Sequence, residues 1–172
     1  MTVLEALKKK LQQPYYGNFQ LQHTWRRALI YGSFVSLFLF YFEPFDLSTL
    51  ESWILARVCL TFGAITFFSI IFHGNILPLF FKQFYQEESW NVWKEIVYVM
   101  LNFLSIGMLN FAYFVILVDL NLETWWPAFV RMQVGTIAVG LPPVTVFIFY
   151  DQSRLLKTNL QKALALTQNI ST

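Results

Sequence analysis

The chain has 172 residues, of which 56% are hydrophobic and only 13% charged, with a net charge of +2. A water-soluble domain carries about 25% charged residues, and a chain this short cannot wrap so much apolar side chain in polar surface. These values exclude an ordinary soluble domain and leave lipid as the solvent; the single cysteine, Cys59, also excludes an internal disulfide or a multi-cysteine metal site.

The first segment, 1–24, is polar and basic and lacks the apolar core and small-residue cleavage site of a signal peptide. Within it, Leu4 to Leu11 is a short amphipathic stretch ended by Pro14, with Lys8, Lys9 and Lys10 placed to face lipid phosphates. The transmembrane region is predicted over 25–150. Its first helix, about 25–45, contains only 15 uncharged residues from Ala28 to Phe42. At 1.5 Å per residue this gives about 22 Å, so Trp25 and Phe45 must sit at the interfaces for the helix to span.

The second helix is predicted over about 53–81, with Gly74-Asn75 and Pro78 loosening its end. The third covers about 94–118. The fourth covers about 128–150 and carries Pro142-Pro143, which predict a kink. Gly107, Gly135 and Gly140 are expected where helices pack closely. All six tryptophans fall near predicted helix ends, as an aromatic belt requires.

Orientation follows from the basic residues. Lys8, Lys9, Lys10, Arg26, Arg27, Lys82, Lys94, Arg154, Lys157 and Lys162 fall on one side, and the two loops on the other side hold none. The positive-inside rule then places both termini in the cytoplasm. The expected fold is an all-α integral membrane four-helix bundle, multi-pass in a bacterial inner membrane.

After the fourth helix, 151–172 reads as a cytoplasmic helical linker. Phe149, Ser153, Leu156, Leu160, Ala163, Thr167 and Ile170 recur at alternating spacings of four and three, the seam of a coiled coil. A homodimer through this helix is the expected partner interaction besides the bilayer itself.

Polar residues within the spans are few. Arg57 and Arg131 lie near the outer ends of their helices, with Glu43, Asp119 and Glu123 in reach. They form either an outer polar or sensing site or structural ion pairs. His73, Asn102 and Asn110 are candidates for intramembrane polar contacts, which interhelical hydrogen bonding explains more simply than an ion path does. No HExxH, GxSxG, P-loop or dinucleotide fingerprint occurs, so neither an enzyme nor a bound cofactor or metal is expected.

Four groups of residues resemble a known family. They are Phe42-Glu43-Pro44-Phe45; Asn75-Ile76-Leu77-Pro78 with Phe80-Phe81; Glu87 to Ile96 (EESWNVWKEI); and Gly140 to Pro143, followed by Asp151 to Lys157 and Asn159-Leu160. In order and spacing they resemble the N-terminal four-helix membrane domain of membrane-anchored LytTR-type transcription regulators of Bacteroidetes-like bacteria. The resemblance covers nearly the whole chain. It implies an anchor and sensory input domain that precedes a DNA-binding LytTR domain, so any DNA contact lies outside these residues. The membrane domain of a sensor histidine kinase is the runner-up, and a small transporter or a structural membrane protein are the alternatives from other classes.

Overall fold

The computed structural model describes residues 3–13, 24–86, 89–117 and 125–170. Among them every regular element is helical, in the order α1 (Val3–Leu11), α2 (Thr24–Phe42), α3 (Ser52–Ile71), a π-helical segment (Phe72–Ile76), α4 (Leu77–Phe80), α5 (Val92–Leu117) and α6 (Trp125–Ile170), with a 3-10 turn at Leu47–Thr49. Three stretches are long and apolar enough to cross a membrane: Ser52–Phe80, Val92–Leu117 and Trp125–Tyr150. Only 33%, 22% and 11% of their apolar windows are buried. Leu60, Phe68, Met100, Ile116 and Val134 all point outward, so hydrocarbon must surround these helices. α2 packs on α3 but is not among these three stretches; its 19 residues begin with Arg26 and Arg27 inside the first two turns.

The helix limits have local causes. α2 stops at Phe42 instead of near position 45, because Glu43, Phe45 and Asp46 adopt positive φ values of 44°, 61° and 63°. Residues with a Cβ occupy that region only when the surroundings enforce it. The second helix does not break at Gly74-Asn75. It widens, with the Leu77 N–H bonding back to the Phe72 carbonyl, and Pro78, which has no N–H to offer, continues the helix as a short α-turn. α5 starts at Val92, two residues earlier than expected, because the Asn91 side chain caps it by accepting the Lys94 N–H at 3.1 Å. α6 passes through Pro142-Pro143 as one helix of 46 residues.

α2 and α3 make the tightest contact. Gly32 and Gly63 meet there, and Ser36 Oγ donates to the Cys59 carbonyl at 3.0 Å. Leu39, Leu55, Cys59 and Val139 form the dry centre, which joins α2, α3 and α6. Gly107 sits against Gln133, Gly140 against Phe103 and Gly135 against Phe45; these three glycines accordingly mark close contacts of α6 with α5 and with the α2–α3 loop. At the end carrying α1, Tyr85, Trp90 and Tyr98 pack ring on ring. There the Val92 N–H bonds the Gln13 carbonyl, which ties the end of α1 to the start of α5.

Candidate functional site: a polar-studded cavity inside the bundle

Each helix turns one face toward a common interior. Thr24, Arg27, Tyr31, Val35 and Leu39 of α2 recur every three or four residues, as do Ile54, Val58, Phe62, Thr66 and Ile70 of α3. On α5 the row is Glu95, Tyr98, Asn102, Ile106, Asn110 and Tyr113; on α6 it is Ala128, Arg131, Gly135, Val139, Pro143 and Phe147. A spacing of three and four puts each row on one side of its helix. The rows line a partly open cavity of about 1000 Å³, at the top of the roughly 300–1,000 Å³ range of small-molecule sites. Along α3 it reaches from Trp53 to Gly74, about 32 Å at 1.5 Å per residue. It is therefore elongated, and most of its lining is apolar.

Three charged residues, Asp46, Arg57 and Arg131, lie toward the α2–α3 loop end, and Arg27 and Glu95 toward the α1 end. Among the described residues neither Arg57 nor Arg131 meets a carboxylate at ion-pair distance. Among the described lining residues two guanidiniums stand with one carboxylate at the loop end, and Glu43 lies on the turn beside it. The strained turn that carries Phe45 and Asp46 forms part of the rim, and Phe45 closes against Gly135.

Between these ends the wall holds polar groups left without partners. Asn110 is 4% exposed and Asn102 8% exposed, and in each the Oδ1 atom has no hydrogen-bond donor. Asn102 spends one N–H on the Tyr98 carbonyl of its own helix, at 2.9 Å. The Tyr113 hydroxyl and Thr136 Oγ1 are also buried and unpartnered. A buried polar atom without a partner costs about 1–3 kcal/mol, so this concentration in one cavity wall is expensive.

His73 is placed differently. It is 4% exposed and faces the α3–α5 contact, outside the cavity lining. Its Nδ1 lies 2.9 Å from the Ser69 carbonyl, and a carbonyl only accepts, so Nδ1 carries the proton. Nε2 then accepts from Ser105 Oγ at 3.2 Å. His73 therefore joins two helices and shares no hydrogen bond with Asn102 or Asn110.

Of the predicted outer site, Arg57 and Arg131 line one cavity, whereas Glu43 is half-buried on the strained turn and absent from the lining. Asp119 and Glu123 lie outside the described residues. Asp46, an acid of the same outer loop, joins the two arginines in the lining, whereas Tyr113 and Thr136 were not foreseen. The spacing of Asn102, Asn110 and Tyr113 on one face of α5 was the available signal. In the tail, Leu156 and Leu160 are 72% and 61% exposed, and Leu164 continues their row. Ala163, Thr167 and Ile170 fall within α6, their side chains outside the described set. Comparisons with protein-family models, curated proteins and solved structures return no match to this chain.

Proposed function

We propose that this chain is the membrane anchor and sensory input domain of a bacterial signalling protein. All four helices cross the inner membrane, both termini are cytoplasmic, and the cavity is the input site. The observation that carries this reading is α6: one helix runs from the cavity wall at Arg131 and Val139 to Ile170 without interruption. A continuous helix passes a shift of one end to the other, with Pro142-Pro143, which withhold two backbone N–H donors, as the place where it can bend, and interfaces amplify such shifts because they are bistable. The apolar row Leu156, Leu160 and Leu164 lies exposed on the emerging half of that helix, where a second copy can pair with it in parallel. By the sequence resemblance, the effector that receives the signal is a LytTR DNA-binding domain.

The experiment is disulfide trapping at position 160 in native membranes. The L160C variant in a C59A background should crosslink between copies. Filling the cavity with G135W or V139F should change the crosslinking rate severalfold. A position 160 that never crosslinks, or a rate indifferent to both fillings, removes the reading. The length of the cavity favours a second reading, passage of a solute through the bundle. Ion and proton flux through proteoliposomes of the purified chain tests it, and the sensory reading expects no flux above empty vesicles.

A further inference from the structure

We infer that the cavity binds an anionic single-headed amphiphile, its acyl chain along the apolar interior and its headgroup between Arg57 and Arg131. This rests on the sensory reading above and adds the chemical class of the ligand.

The argument starts from asymmetry. The cavity is long and mostly apolar, so an elongated hydrocarbon fits it and a hydrated solute does not. Its loop end carries two arginines and one aspartate, whereas the α1 end carries one arginine and one glutamate. Among the described lining residues only the loop end has more guanidiniums than carboxylates, and Arg57 and Arg131 are both exposed there. A guanidinium grips carboxylate or phosphate oxygens in a bidentate way. An anion there supplies what the described residues do not.

The polar wall beside that end sharpens the class. Phe111 of α5 packs on Phe129 of α6 with ring centroids 5.3 Å apart. Asn110 and Arg131 line the cavity on these same two helices. Tyr113 packs on Phe62 of α3 at 6.0 Å, about one and a half turns from Arg57. The Tyr113 hydroxyl can donate to an anionic oxygen. Asn110 Oδ1, an acceptor only, calls for an O–H or N–H on the ligand near the head. A headgroup with both an anionic oxygen and a hydroxyl satisfies both atoms, whereas a bare carboxylate satisfies only the Tyr113 hydroxyl. A neutral or cationic amphiphile leaves the arginines unmatched.

Such a ligand has two sources, a free fatty acid or an anionic phospholipid of the surrounding bilayer, and photolabelling separates them. The full chain is reconstituted in phosphatidylcholine nanodiscs with one of three diazirine probes: palmitic acid, an acyl-labelled phosphatidylglycerol, or the uncharged hexadecanol analogue. Labelled residues are then mapped by mass spectrometry. An anionic probe should label cavity-lining residues of α5 and α6 between Asn102 and Gly140 at least about tenfold more than the uncharged one, the ratio expected for loss of one strong charge-assisted contact. Labelling by palmitic acid identifies a free acid, and labelling by phosphatidylglycerol alone identifies a bilayer lipid. The R57Q/R131Q variant should lose the preference for charge. Should that variant fail to fold, competition on the wild-type chain by myristic acid against tetradecanol gives the same answer. Equal labelling by charged and uncharged probes, or labelling confined to outward residues such as Phe68 and Ile116, overturns the proposal. Cavity labelling with no change in crosslinking at position 160 leaves the ligand assignment standing and removes the sensory reading; the reverse result removes only the ligand.

Discussion

Gly32 and Gly63 face each other so closely that a Cβ on Gly32 would lie 2.7 Å from the Gly63 carbonyl oxygen, and a Cβ on Gly63 2.5 Å from the Gly32 carbonyl oxygen. Both obstacles are backbone, so neither can swing aside. The α2–α3 pair therefore exists at this separation only while both positions are glycine. G63A should destabilise the domain by about 1–3 kcal/mol, the usual cost of overpacking, and G32A by a similar amount. Thermal or chemical unfolding in detergent, followed by circular dichroism, checks this. The double variant should cost less than the sum of the singles, because the first has already parted the helices.

His73 and Ser105 give a second test. The imidazole donates through Nδ1 to Ser69 of its own helix and accepts through Nε2 from Ser105 of α5. Only the second bond holds two helices together. Hydrogen bonds of this kind are worth about 0.6 kcal/mol on average in membranes, with an upper value near 1.7. A double-mutant cycle of H73L and S105A should return a coupling in that range. A coupling indistinguishable from zero removes the bond from the account of stability.

Much of this architecture was legible before the structure. Charge-free runs marked the helices, and glycines marked close contacts at Gly107, Gly135 and Gly140. The cavity was not legible, for a physical reason. Helices in lipid are apolar on every side, so no hydrophobic stripe distinguishes the face turned inward. Register is equally silent: Gly32 and Gly63 lie on different helices, and no spacing within either one announces the other. The turn at Glu43 to Asp46 was read as the end of a helix because its residues, Pro44 apart, carry no breaker signal. Its positive φ values come from tertiary constraint, which a local reading cannot contain.

Tyr85 makes stability depend on pH at the alkaline end. It lies between the second and third membrane helices, stacked on Trp90 at 5.8 Å, and burial raises its pKa above the ordinary 10.0. The protonated phenol is the form the fold favours. Its contribution is complete below the unfolded value near pH 10 and is lost as pH rises through the higher folded value. Spectrophotometric titration at 295 nm should show late-ionising absorbance that falls by one tyrosine in Y85F. Y85F should also flatten the fall in stability above pH 10. An unchanged titration curve in Y85F contradicts this.

Asn110 separates stability from function most sharply. Its side chain is buried at 4% exposure with Oδ1 unpartnered, so the ligand-free fold carries a desolvation cost of about 1–3 kcal/mol there. Leucine has nearly the same volume and no polar atom. N110L should therefore leave the purified domain as stable as the wild type or more so, by up to that amount. The same substitution should weaken capture of the phosphatidylglycerol probe, whose headgroup hydroxyls can donate to Oδ1, and leave capture of palmitate unchanged, because a carboxylate has no proton to give. Strain or unsatisfied polarity kept at a position where an apolar residue would be better tolerated is the mark of a site held ready for something else. Thermal unfolding and photolabelling on the same preparation read the two effects separately. A large loss of stability in N110L would show that the carboxamide is bonded in the native membrane, and Asn110 would then belong to the packing of α5 and not to a binding site.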